Sequence, residues 1–183
     1  MARVITFSRV YPAYHHKAGQ PTYFVEKVVN SLLPISKAEE LMAYYYENMP
    51  DDIQIDSLAG FLPKHHTIRK GSRWKKGDYF SPRIWTGRPY ASQQLAFAPD
   101  VKIKNVWDFE IRCKLPKRYY LLINKKEILI GDPKLPLSIS ASKKLKKLAQ
   151  NDGLSVSDLL DWFQYPKESG KMQIICWDSN VKY

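Results

Sequence analysis

Apolar and polar positions follow different periods along this chain, and each period predicts an element. Residues 4–8 (VITFS) read as a first strand, followed by a polar loop over 11–20 with Pro12, His15, His16 and Gly19. Phe24, Val25, Val28, Val29 and Leu32 then recur at helical spacing. They predict a helix over 22–33 with one apolar face, ended by Pro34. Leu41, Met42, Tyr45 and Tyr46 stripe a second helix over about 36–48, opened by Ser36 and Glu39 in a capping-box pattern. Two aspartates and a proline mark a loop over 50–56.

From Lys64 the pattern turns to strands: HHTIR, DYFSPRIW, QQLAFA and VKIKNVWDFEIRC. In the last, Val101 and Ile103 alternate with Lys102 and Lys104, the period of a half-buried strand. YYLLI and EILIG are joined by Asn124-Lys125-Lys126, a short polar turn that predicts a hairpin. The Pro-rich connection DPKLPLS leads to a helix over 142–150, stopped at Asn151-Asp152-Gly153. A further helix starts at Ser155, with Asp158 as its capping partner and Leu159, Leu160, Trp162 and Phe163 as its buried surface. MQIICW closes the set as a strand. Strands with helices at the edges and ends predict an α+β fold around a small, mostly antiparallel sheet or barrel. At 183 residues the chain suffices for one domain with a sizeable core.

Charge sharpens this picture. The net charge is +11, and it is uneven: ten Lys or Arg lie from Lys64 to Lys104, opposed only by Asp78 and Asp100. Clustered positive charge points to a polyanionic partner, nucleic acid before membrane. Cys113 and Cys176 sit in apolar strand-like runs and read as buried thiols, although the residues alone leave a disulfide open. The first residues show no apolar core or cleavage site of a signal peptide, and no apolar run approaches a membrane span, so a cytoplasmic protein is expected.

The segment KHHTIRKGSRWKKGD, residues 64–78, concentrates the candidate chemistry. Thr67 and Ile68 favour a strand, and Gly77-Asp78 break it. In that strand His65, Thr67 and Arg69 share one face, and His66 and Ile68 the other. A solvated basic edge strand would carry the same residues. Downstream, Trp74, Tyr79, Phe80, Trp85 and Tyr90 interleave with Arg69, Lys70, Arg73, Lys75, Lys76, Arg83 and Arg88. Cations bind phosphates and aromatic faces stack on unpaired bases, so the mixture suits a single strand or a loop. Phe80 and Trp85 are expected in the core. Arg83 and Arg88 flank a Gly87 turn suited to ligand contact. The histidines and cysteines show no CxxC, HxxxH or carboxylate–histidine spacing, so neither a metal nor another cofactor is expected. Thr67 is a weak nucleophile unless a base such as Lys64 or His65 takes its proton.

HHTIRKGSRWKKGD resembles the ASCH family of the PUA-like superfamily: a Lys/His-Thr-Ile-Arg segment, then a hydrophobic residue, a lysine and Gly-Asp, here Trp74, Lys76, Gly77 and Asp78. The likeness is best over 62–78 and continues more weakly through LAQNDGLSVSDLLDWF to QIICW. It makes residues 34–61 a helical insertion in a single domain spanning 1–183, and DPKLPLS a second insertion. It implies a small β-barrel with a cleft and a link to RNA or modified nucleosides. Some small ASCH proteins are amidohydrolases that deacetylate 4-acetylcytidine with a lysine, a strand threonine three residues on, and a later glutamate. Lys64 and Thr67 match the first two, and Asp152 stands near the third, one methylene shorter. As a turn residue beside Gly153, Asp152 needs no chemistry at all.

Three functions are therefore expected in order. The first is binding of RNA or a nucleotide-like ligand in a basic cleft lined by His65, Arg69, Arg73, Trp74, Lys76, Arg83 and Arg88. The second is hydrolysis of an acylated nucleoside by Lys64, Thr67 and Asp152. The third is a non-catalytic role in which Tyr44 to Tyr46 of the insertion dock a protein partner.

Overall fold

A computed structural model describes residues 2–47, 49, 58, 60–114, 118–131, 139–164 and 169–183. The expected loop over 50–56 and the connection over 132–138 lie outside the described residues, as do the side chains of Cys113 and Tyr46. The fold is mixed α+β, with two sheets and four helices among the described residues. Each sheet is open there, and neither closes into the expected barrel. No described helix is long and apolar enough to cross a membrane.

The chain forms two compact units. One comprises Met1–Lys64 and Gly77–Ile103, the other His65–Lys76 and Lys104–Tyr183. The first unit holds β1 (Arg3–Thr6), α1 (Phe24–Leu32), α2 (Ile35–Tyr46), β3 (Tyr79–Trp85), β4 (Gln94–Ala96) and β5 (Val101–Lys102). Here β3 is central: β1 pairs with it in parallel, β4 and β5 antiparallel. Pro82, in mid-strand, has no N–H to give. It falls where β3 changes antiparallel partners, after the β5 pairing at Phe80 and before the β4 pairing at Arg83, and its carbonyl still accepts from Phe97 N at 3.2 Å. The apolar face expected of α1 is observed, with Phe24, Val25, Val28 and Val29 buried. The second helix begins at Ile35 with Pro34 at its N-cap, two residues ahead of the expected Ser36 cap.

The second unit holds β2 (His66–Lys70), β6 (Asn105–Lys114), β7 (Arg118–Ile123), β8 (Lys126–Gly131), β9 (Met172–Cys176), α3 (Ile139–Asn151) and α4 (Val156–Trp162). Its sheet is antiparallel in the order β2-β9-β6-β7-β8. The hairpin turn is two residues, not three. Asn124 and Lys125 both have positive φ (47 and 65), the primed geometry whose twist matches the flanking strands. Ser155 caps α4 as expected, its Oγ accepting from Asp158 N at 3.1 Å. The run VKIKNVWDFEIRC is divided between the units. Ile103 N donates to Asp78 O, whereas Lys104 N donates to Cys176 O.

Candidate functional site

In the second unit, β2 and the end of α3 assemble a buried polar cluster. His65 N donates to Asn151 O at 2.8 Å, and Trp177 N donates to His65 O at 3.2 Å. These bonds pin the start of β2 between β9 and the last turn of α3. Gly153, with φ +73, lets the chain leave α3 in the left-handed region. Asp152 is thereby directed inward, and its Oδ1 lies 3.3 Å from His66 Nδ1, both side chains buried. The contact is electrostatic and makes no hydrogen bond at Nδ1. On the other side of the ring, His66 Nε2 is 2.6 Å from Tyr183 Oη, which also accepts from Asn151 Nδ2 at 2.9 Å.

The Asp152 charge favours a proton on Nδ1. In that tautomer Nε2 accepts from the Tyr183 hydroxyl, whose oxygen in turn accepts from Asn151. Burial pushes the ionisation of Tyr183 well above its ordinary value, partly opposed by the Asn151 hydrogen bond. Tyr183 is 38% exposed as a residue, while its hydroxyl is engaged by both His66 and Asn151. Tyr183 thus stays neutral and acts as a hydrogen-bonding group. Burial also pushes the Cys176 thiol up to about 12, so this free thiol remains protonated and is no nucleophile.

The sequence-derived site residues are divided between the units. Thr67 is buried in β2 at 4% exposure, on the face opposite His66. His65 is half-buried, its Nδ1 2.9 Å from Asp178 Oδ2. Arg69 is half-buried, while Arg73 and Lys76 are exposed beyond the strand. Trp74 corrects an expectation. It is 3% exposed, and Gln173 clasps its backbone from both sides, accepting from Trp74 N at 3.0 Å and donating to Trp74 O at 3.1 Å. Its indole belongs to the core, with the Arg73 guanidinium 5.3 Å from the ring. That arrangement leaves no open face for a base.

Lys64, Arg83 and Arg88 belong to the first unit. Lys64 is 1% exposed, with Nζ 4.3 Å from the Phe24 ring centre and its backbone N–H on Lys27 O. Arg83 Nε donates to Ser81 Oγ at 3.3 Å. Arg88 lies in the loop from β3 to β4, which is braced internally. Gly87 N donates to Ser92 Oγ at 2.9 Å, and Ser92 Oγ donates to Arg88 O at 3.0 Å. This bracing holds Tyr90 in a left-handed conformation (φ 65), 92% exposed, its ring centre 5.4 Å from that of Trp85. Trp85, expected in the core, is half-buried.

His66 and Tyr183 were missed by sequence reasoning. His66 was assigned to the face away from the chemistry, and Tyr183 stands 117 residues from it. A buried imidazole beside Thr67 carries no local signal of its own. Comparison with family models, with curated proteins and with solved structures finds no match.

Proposed function

We propose that this is an RNA-binding protein of the ASCH/PUA-like type that takes unpaired bases on the loop between β3 and β4. The observation that carries the reading is Tyr90, held almost fully exposed against Trp85 beside the exposed Arg88. A large aromatic in a left-handed conformation costs about 1–2 kcal/mol, and such strain gathers where a surface is used. An exposed ring stacks on any base, and a neighbouring guanidinium adds charge for the phosphate. The net charge of +11 supplies the long-range attraction.

The test is titration of a fluorescently labelled single-stranded RNA, followed by anisotropy over a salt series. Tyr90→Ala removes a stacking contact worth about 1–3 kcal/mol, so Kd rises roughly tenfold with the salt slope unchanged. Arg88→Ala lowers that slope by about 0.7, the value for one phosphate contact to a single strand. Wild-type affinity retained by both variants sinks the proposal.

A further inference from the structure

Beyond the β2 segment and the aromatic loop, the second unit carries a strongly basic groove that the proposed function does not use. It has a volume of about 300 Å³ and is lined by Lys126 of β8, Lys144 and Lys147 of α3, Lys182 and Tyr183, with Glu127 the one acidic side chain among its described lining residues. All four lysines are exposed. We infer that this groove binds the phosphates of a polyanionic strand, a second contact surface for the RNA of the proposed function, on which the inference rests.

Three physical features support it. The first is repulsion. Helix α3 carries Lys143, Lys144, Lys146 and Lys147 with no Asp or Glu from Ile139 to Asn151. Like charges three or four positions apart on a helix cost about 0.2–0.5 kcal/mol per pair. Leu145, Leu148 and Ala149 bury the opposite face, so packing holds this helix against that repulsion. Lys126 and Lys182 come from two other segments and add to the same field. A bound anion turns these mutual repulsions into attractions.

The second feature is rigidity. Tyr183 is fixed at the groove by its hydroxyl bonds to His66 and Asn151 and by edge-on packing against Trp107 at 5.1 Å. A wall already in place needs little ordering when ligand binds. The third is chemical fit. Lysine ammonium groups are compact point charges that suit phosphate without demanding a planar, two-pronged partner. A groove of this size matches the low end of small-ligand sites, room for a phosphate and its sugar.

The experiment compares wild type, Lys144→Gln/Lys147→Gln and Tyr90→Ala, with single-stranded RNA and with inorganic polyphosphate as probes across a salt series. Both lysines are exposed, and glutamine keeps helix propensity, so the fold is retained. If the groove holds phosphates, the double variant weakens RNA binding alike for different sequences, and its salt slope falls by about 1.4 for two lost contacts. RNA binding with an unchanged slope in the double variant overturns the groove while leaving the RNA reading intact. Wild type that ignores RNA but binds polyphosphate, and loses it in the double variant, overturns the RNA reading and keeps the groove as a polyanion site. Wild type that binds neither probe overturns both.

Discussion

Tyr183→Phe removes one oxygen and leaves the ring in place. In the native protein that oxygen lies 2.6 Å from His66 Nε2 and 2.9 Å from Asn151 Nδ2. Phenylalanine keeps the edge-on contact with Trp107, so the change in packing is small. The electrostatic consequence is not. His66 is 0% exposed, so its Nε2 has no route to water once the hydroxyl is gone. A buried polar atom left unmet costs about 1–3 kcal/mol. Asn151 is only half-buried, and its amide can be rehydrated at smaller cost. The variant is therefore expected to lose about 1–3 kcal/mol, a fall of about 2–12 °C in Tm for a chain of this size. Urea unfolding followed by circular dichroism gives the free energy directly, with the midpoint lowered and the slope unchanged. Adding His66→Phe closes a double-mutant cycle. Phenylalanine at both positions removes both members of the imidazole–hydroxyl pair, and the losses at Asp152 and Asn151 are already counted in the single variants, so the double variant should recover about 1 kcal/mol relative to the sum of the single losses. An unchanged midpoint in Tyr183→Phe, or strict additivity in the cycle, would refute the buried network as described.

Two further outcomes follow from burial. The Cys176 thiol is pushed up to about 12 from an ordinary 9.0, so between these values the native state keeps a proton that the unfolded state has released. Stability should then fall as pH rises through that window, by up to about 4 kcal/mol. Urea midpoints measured upward from pH 8 should decline more gently in Cys176→Ala, and parallel declines would remove the thiol as the cause. Trp74→Ala should cost about 3–5 kcal/mol, as for a large aromatic lost from a core. A Trp74→Ala protein as stable as wild type would return that indole to the surface and to ligand contact.

Local patterns were legible wherever a local rule governs. Spacing placed Phe24, Val25, Val28 and Val29 on the buried face of α1, because a helix must turn its apolar stripe inward. Ser155 marked the start of α4, because its side chain satisfies an N–H three residues on. The hairpin from β7 to β8 was visible in its polar turn, although the two positive φ values at Asn124 and Lys125 were not. The thiol of Cys176 was read as buried, and it is.

What escaped the sequence depends on partners far along the chain. Alternation runs unbroken through Ile103 and Lys104, yet one residue bonds to Asp78 and the next to Cys176, so the run serves two sheets. Trp74 looked like a stacking ring between two cations. Gln173, 99 residues away, holds its backbone in the core. Asp152 read as a turn residue or an acid. Only the docking of β2 on the end of α3 sets it against His66, and sets His66 against Tyr183. The lysines of α3 were plain in the sequence, but their convergence with Lys126 and Lys182 was not. Periodicity, capping and turn chemistry act over a few residues, so the sequence alone determined the elements and the positive charge. Which polar groups are buried together is decided by strand pairing and helix docking, because only the packed chain removes the water that would otherwise satisfy them.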